Sequence, residues 1–315
     1  MRIVAASLFT ACLLQTGMVF AQTQSDTSKK SKDDSAELIA LLDENTPKKK
    51  DYTVATFKST RLINGHTIEH VAAGVLDFRI GHRFGEAKDG LYSLFGLDGA
   101  STLLGLDYGI TDWLMVGINR STYQKEFQGF VKTKVLRQAE HGGSPISLSY
   151  MGAVSAQTVT GPTLPAGQEY YFSNRLFYVN QLLLARKFNK WLSIQLMPTH
   201  IHYNLVPTTG EPNDVFALGA GGRLKLSNRI ALTAEYYYRF NQLVGYYNAA
   251  SVGFDIETGG HVFQLMFTNA TAMTERAFIG QSGSNWGDGG IHFGFNISRV
   301  FTIVRPKEFK GSSKW

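Results

Sequence analysis

Beyond residue 50 the chain repeatedly trades apolar for polar side chains at every second position, in segments of about ten residues. This alternation limits the available folds more than any other feature, because only an extended strand sends neighbouring side chains to opposite faces. Leu76, Phe78 and Ile80 fall on one side of such a segment, and Asp77, Arg79 and Gly81 on the other. The pattern returns in Leu114, Val116 and Ile118, and in Leu192, Ile194 and Leu196 opposite Ser193 and Gln195. It returns again in the run from Ile230 to Phe240, whose polar side carries Thr233, Glu235 and Arg239. Three segments near the end repeat it: Val252, Phe254 and Ile256 opposite Ser251, Asp255 and Glu257; Phe263, Leu265 and Phe267 opposite Gln264; and Phe293, Phe295 and Ile297 opposite His292 and Asn296.

Strands with one oily and one polar face suit either a soluble sandwich or a closed membrane barrel. Segment length separates the two: about ten residues is what a tilted strand needs to cross a bilayer, against five or six in most soluble sheets. Composition agrees, with Gly 32, Phe 21 and Tyr 14 against Pro 8, a bias towards strands, turns and interfacial rings. Tyr108, Trp113, Trp191, Tyr203, Tyr238, Phe240, Tyr246 and Tyr247 are candidates for the aromatic girdles at the two membrane surfaces. After the N-terminus no apolar run approaches the roughly 20 residues of a membrane helix, which excludes a helical membrane protein. The expected fold is therefore an all-β, antiparallel transmembrane barrel. With roughly 40 residues per hairpin and its connections, the stretch after Lys50 yields about 12 strands, and ten to 14 are compatible with it.

Short turns at Gly109 to Asp112, Asn189–Lys190 and Ser227–Asn228 alternate with longer stretches at Gly161 to Tyr171, Pro207 to Asn213 and Glu275 to Gly290. They are expected on the periplasmic and extracellular sides respectively. Met1 and Arg2 followed by the apolar run Ile3 to Phe20, with Val19, Phe20 and Ala21 ahead of Gln22, read as a signal peptide over 1–21. Cys12, the only cysteine, lies within it, so the processed chain has no thiol for disulfides, thiolate metal sites or cysteine nucleophiles. Residues 22–50 form a polar linker, expected to be disordered, in which Leu38, Leu41 and Leu42 have the spacing of a short amphipathic helix able to dock at the barrel mouth or enter its lumen. The barrel is expected over 51–303, with a polar tail over 304–315.

Several strings together resemble a domain-of-unknown-function family of Gram-negative outer-membrane β-barrels. They are Ala55-Thr56-Phe57-Lys58-Ser59-Thr60-Arg61, His82-Arg83-Phe84-Gly85, Gly96-Leu97-Asp98, Tyr108-Gly109-Ile110-Thr111-Asp112, Val116-Gly117-Ile118-Asn119-Arg120-Ser121 and Thr258-Gly259-Gly260-His261-Val262-Phe263-Gln264-Leu265. Phe293-Gly294-Phe295-Asn296-Ile297-Ser298-Arg299-Val300-Phe301 joins them, so the resemblance spans Tyr52 to Phe301. It implies fold and location, and brings no substrate, catalytic residue or cofactor. The final string also ends on an aromatic, similar to the signal read by barrel-insertion machinery. Arg299 departs from that parity and is expected to snorkel to head groups.

The net charge of +6 is scattered apart from Lys48, Lys49 and Lys50, and no basic helix or aromatic RNA-binding motif accompanies it. Nucleic acid is excluded as a partner, and anionic lipid is compatible. His66 and His70 have helical ligand spacing without a zinc-protease pattern, and His200 and His202 share a strand face with no carboxylate nearby in sequence. No G-x-S-x-G string is present, and the Gly219 to Gly222 run lacks the Lys-Ser/Thr ending of a phosphate loop, reading instead as close packing in a strand. No catalytic, cofactor or metal residue is assigned, and an enzyme is not expected. Asp77, Arg79, Arg83, Glu235, Arg239, Asp255 and Glu257 are the expected lumen-facing charges. In a pore for small solutes they would set selectivity. In a plugged structural or interaction barrel, the alternative, the same charges would cancel as ion pairs. An outer-membrane enzyme with a site at the rim ranks below both. The expected partners are outer-membrane lipid, the insertion machinery and a small-molecule solute.

Overall fold

A computed structural model describes residues 50–161, 169–206, 210–241 and 243–305. The expected signal peptide, the expected linker with Leu38, Leu41 and Leu42, and the tail from residue 306 lie outside the described residues. No helix among those described is long and apolar enough to cross a membrane.

Twelve strands follow one another along the chain: β1 (Val75–Glu86), β2 (Ala100–Gly109), β3 (Leu114–Ser121), β4 (Glu126–Leu136), β5 (Ser147–Gln157) and β6 (Leu176–Lys187), then β7 (Leu192–Tyr203), β8 (Asp214–Lys225), β9 (Ile230–Arg239), β10 (Ala250–Thr258), β11 (His261–Thr268) and β12 (His292–Thr302). Each pairs antiparallel with the next, and β12 pairs back onto β1, with Leu76 opposite Phe301 and Ile80 opposite Ile297. The sheet is closed, so no strand presents an unpaired edge to hydrocarbon. Among the described residues the one helix of α type, α1 (Glu275–Gly280), is an interruption between β11 and β12.

The faces follow the alternation. On β1 Asp77, Arg79, Gly81 and Arg83 turn inward and are buried, while Leu76, Phe78 and Ile80 lie on the outer surface. On β9 Leu232, Tyr236 and Tyr238 face out, and Thr233, Glu235, Tyr237 and Arg239 face in. Arg299 is outward and exposed near the end of β12, its guanidinium 5.1 Å from the Phe301 ring. Side chains such as Ile118, Leu182, Leu218 and Phe254 remain exposed on the outer wall; that surface is stable only in an apolar solvent.

The turns at 110–113, 188–191, 226–229 and 259–260 fall on one rim, with the longer 137–146 connection and both ends of the wall. Trp113 and Trp191 are exposed there. The connections that follow β1, β5, β7, β9 and β11 fall on the opposite rim, their described residues being 87–99, 158–161, 169–175, 204–206, 210–213, 240–241, 243–249 and 269–291.

Residues 51–74 precede the first strand and lie outside the wall itself, with Leu62, Ile63, Ile68 and Val71 buried. Two expectations require correction. Tyr203 belongs to the inward face of β7 and is buried, so it is no girdle residue. The Glu275–Gly290 stretch is not a simple outward loop: every residue of α1 is buried, inside the barrel.

Candidate functional site: an occupied lumen

Twelve strands enclose more space than the inward side chains of the wall fill, whereas about eight close tightly on their own. The chain supplies the filling. Residues 51–53 run along the 137–146 connection, with the Thr53 amide donating to Gln138 O at 2.9 Å. The chain then turns into the barrel, where Thr56, Phe57, Ser59 through Ile68 and Val71 are buried. It doubles back as a hairpin: the Thr67 amide donates to Thr60 O at 3.0 Å, the Leu62 amide to Gly65 O at 2.8 Å, and Arg61 pairs with His66. It returns to the rim of entry, where Gly74 N–H meets Gly109 O just before β1.

A two-residue tip, Ile63–Asn64, leaves amides and carbonyls pointing outward, and buried backbone groups must find partners. The wall provides them from strand after strand. Glu235 of β9 accepts from the Asn64 amide at 2.8 Å and the Gly65 amide at 3.2 Å. Asn296 of β12 donates to Ile63 O and Gln264 of β11 to Leu62 O, both at 2.8 Å. Gln195 of β7 clamps the returning arm, donating to His66 O and accepting from the Ile68 amide at 2.7 Å each. Lys132 of β4 donates to Glu69 O at 2.6 Å and Thr67 O at 3.1 Å. The Asn64 side chain donates to Ser251 of β10 at 3.1 Å and accepts from Arg83 of β1 at 2.8 Å. Asp107 of β2 accepts from Arg61 at 3.2 Å. Eight strands therefore hold the hairpin directly.

Shape complements the polar contacts. A Cβ at Gly65 would fall 1.9 Å from Tyr237 Oη, and one at Gly221 would fall 2.2 Å from Leu62 Cδ2. The Gly219–Gly222 run in β8 thus makes room inside the barrel, with Gly219 under the Tyr237 ring and Gly221 under Leu62. No backbone freedom is needed at either position; close approach alone demands glycine.

The opposite end is filled by α1. Arg276, fully buried, pairs with Glu126 of β4, donates to Gln124 at 2.9 Å and lies 4.4 Å over the Phe177 ring. Tyr203 Oη donates to Arg276 O at 3.1 Å, and Arg239 donates to Gly280 O at 2.9 Å. The two inserts meet at mid-lumen. His66 Nε2 lies 3.4 Å from Glu275 Oε1, whose other oxygen accepts from Gln128 at 2.8 Å. Cavities of about 480 Å³ at the short-turn mouth and about 420 Å³ at the long-loop rim flank this region.

The seven expected charges all line the interior, but they do not cancel one another. Arg79 pairs with Asp107 at 3.4 Å, and Glu257, half exposed at the mouth, pairs with Lys58 of the inserted segment. Among the described residues Asp77, Arg83, Glu235, Arg239 and Asp255 have no opposite charge within 4 Å. Glu235, Arg83 and Arg239 instead bind the inserts, Asp255 accepts from Gln264 at 2.9 Å, and Asp77 lines the 480 Å³ cavity. Lys132 and Asp107 were not singled out from the sequence, and Gln195, Gln264 and Asn296 were read on the polar face without a role; inward parity on their strands was the signal for each.

The His66–His70 pair separates, and the His200–His202 pair does not. His66 packs edge-on to Phe130 at 4.7 Å between centroids, whereas His70 bonds Ile68 O at 3.1 Å. His200 and His202 lie on the outer face of β7, and both bond Asp214 Oδ1 at 2.8 Å, a carboxylate brought alongside by β7–β8 pairing. Among the described residues no group of three or more His, Cys, Asp or Glu side chains is arranged to hold a metal ion.

A family model described as membrane bound beta barrel domain (DUF5777) matches residues 57–301. The chain belongs to that family. The match starts at Phe57, so the membrane bound beta barrel domain includes the hairpin as well as the wall. No curated protein matches. Among solved structures, the NanC porin is similar at 11% identity and TM-score 0.46, over 73% of this chain and 100% of that one. The KdgM porin is similar at 9% identity and TM-score 0.44, over 72% and 99%. The COG4313 outer membrane channel from Pseudomonas putida F1 is similar at 13% identity and TM-score 0.46, over 74% and 98%. At TM-scores below 0.5 these likenesses say nothing about bore or solute.

Proposed function

We propose that this protein is an outer-membrane barrel of the pore class that its own N-terminal hairpin keeps shut at rest. The observation that carries the reading is the recognition of the hairpin by side chains from eight strands, five of which bind its backbone. Those contacts are mainly hydrogen bonds between polar groups, which water replaces at small net free energy when a segment leaves. Withdrawal leads back to the short-turn rim, the side from which the segment enters. Solute passage then requires a second movement, of α1, because both inserts occupy the bore.

A permanently filled barrel is the competing reading, favoured by Leu62 seated against Gly221 and by Phe278 edge-on to Tyr237 at 5.1 Å. Planar-bilayer recording separates them. Full-length protein should be silent or conduct in rare steps, and deletion of residues 51–71 should give frequent large steps. A deletion variant that assembles, by heat-modifiable gel migration, and stays silent refutes the gated reading.

A further inference from the structure

Of all the asparagines in the chain, Asn64 alone is followed by glycine. A following residue without a Cβ leaves its amide nitrogen the least hindered path to the asparagine side chain. The reaction open to such a pair is hydrolytic. The Gly65 nitrogen loses its proton and attacks Asn64 Cγ, the Cγ–Nδ2 bond breaks, and Nδ2 leaves as ammonia. Water then opens the five-membered imide at one carbonyl to give aspartate or at the other to give isoaspartate. In sum, a carboxamide and water become a carboxylic acid and ammonia.

The seated hairpin ties down the groups that must move. Asn64 and Gly65 are both buried. The Gly65 amide donates to Glu235 Oε2 at 3.2 Å, and the Asn64 amide donates to Glu235 Oε1 at 2.8 Å. A carboxylate is far too weak a base to remove an amide proton, so Glu235 restrains the nitrogen without activating it. The Asn64 side chain is held from the wall, Nδ2 donating to Ser251 at 3.1 Å and Oδ1 accepting from Arg83 at 2.8 Å. Ring closure draws Cγ towards the Gly65 nitrogen and breaks both of these contacts. Tyr237 Oη stands 1.9 Å from where a Gly65 Cβ would lie, which leaves the tip little room to turn.

We infer that Asn64 is a self-modification site, protected while the hairpin is seated and exposed to hydrolytic conversion when it withdraws, so that withdrawal becomes irreversible once Asn64 has reacted. The inference rests on the gated reading, which supplies the withdrawal. Isoaspartate lengthens the backbone between residues 64 and 65 by one carbon, which puts the two tip amides out of step with the two oxygens of Glu235. Either product replaces the Nδ2 donor to Ser251 by an acceptor and brings a second carboxylate near Glu235. Arg83 offsets part of that cost in the aspartate form only where the backbone can still seat.

The conversion is slow against hairpin movement, so its rate in the assembled barrel is the withdrawn fraction multiplied by the rate in the free chain. The reagent is water at mildly alkaline pH. The readout is the mass of the tryptic peptide from Leu62 to Arg79, released after unfolding, in which Asn64 is the sole carboxamide side chain. Assembled full-length protein should convert far more slowly than the same chain unfolded in guanidinium. Assembled Glu235→Ala should convert on the order of tens to hundreds of times faster than the unaltered barrel, with the unfolded rate as its ceiling. Protein aged in guanidinium and refolded should open more often in planar bilayers than protein refolded without ageing. Asn64→Gln, which cannot close a five-membered ring, should show no such change on ageing. Equal conversion in assembled and unfolded protein overturns the protection, and aged protein that opens no more than unaged overturns the irreversible step, as does an equal change in Asn64→Gln. Unchanged conversion in a Glu235→Ala barrel that does open more often sinks this site alone. A Glu235→Ala barrel that neither converts faster nor conducts more sinks the shut-barrel reading with it.

Discussion

Replacing Glu235 with alanine should unlatch the hairpin. Its carboxylate accepts from two consecutive amides at the tip, Asn64 and Gly65, deep in the barrel. Hydrogen bonds to a charged group contribute about 1.5–3 kcal/mol each, and the amides left behind are buried. Water entering the space vacated by the side chain returns part of that, so a net loss of about 2–4 kcal/mol is expected. At about 1.4 kcal/mol per tenfold, the ratio of withdrawn to seated hairpin rises about 30- to 700-fold. Glu235→Gln keeps one acceptor and should give a smaller rise, about half the free energy. Two readouts on the assembled barrel report the ratio: open probability in planar bilayers, and the rate of tryptic cleavage at Lys58 and Arg61. An assembled Glu235→Ala barrel with the open probability and cleavage rate of the unaltered protein would refute the latch.

Further outcomes follow from other contacts. Gly65→Ala places a Cβ where Tyr237 Oη sits, so it should open the barrel much as Glu235→Ala does, and adding Tyr237→Phe should restore closure in part; bilayer recording reads both. Asp107→Asn leaves Arg61 and Arg79 without their shared carboxylate, and breaking a buried pair costs about 3–5 kcal/mol, so its melting temperature should fall well below that of exposed Asp98→Asn. Leu232→Asp puts a charge on the lipid face and should lower the heat-modifiable, assembled fraction, whereas Thr233→Asp faces the lumen opposite Arg223 and should be tolerated. Equal assembly of the two would contradict the assigned faces.

The wall was legible because a period of two survives in every strand, and because lipid outside and polar groups inside enforce it at nearly every position from Leu76 to Phe301. Arg299 illustrates the rule even as an exception, since it lies near the rim where its head group escapes hydrocarbon. The hairpin was harder to read for a physical reason. Inside the barrel both of its faces are buried, so Leu62, Ile63 and Ile68 sit beside Arg61, Asn64 and Thr67 without a solvent side to impose alternation. Asn64-Gly65 flanked by apolar residues was the available turn signal, although the tip lies one residue earlier and Gly65 is required by Tyr237. The partners of the wall charges, among them the backbone amides that Glu235 accepts from, lie on distant segments, which spacing along a strand does not reveal. Glu235 and Asn64 are 171 residues apart.

The most direct test joins hairpin to wall covalently. Asn64 Nδ2 and Ser251 Oγ are 3.1 Å apart, and the sole native cysteine is Cys12, so Asn64→Cys combined with Ser251→Cys in a Cys12→Ser background provides the only two thiols. In assembled barrels this pair should oxidise to a disulfide that holds conductance at zero, and reduction should return the opening seen in the same variant before oxidation. Failure of the two cysteines to join in a barrel that is folded and membrane-embedded would show that the hairpin does not reside in the lumen.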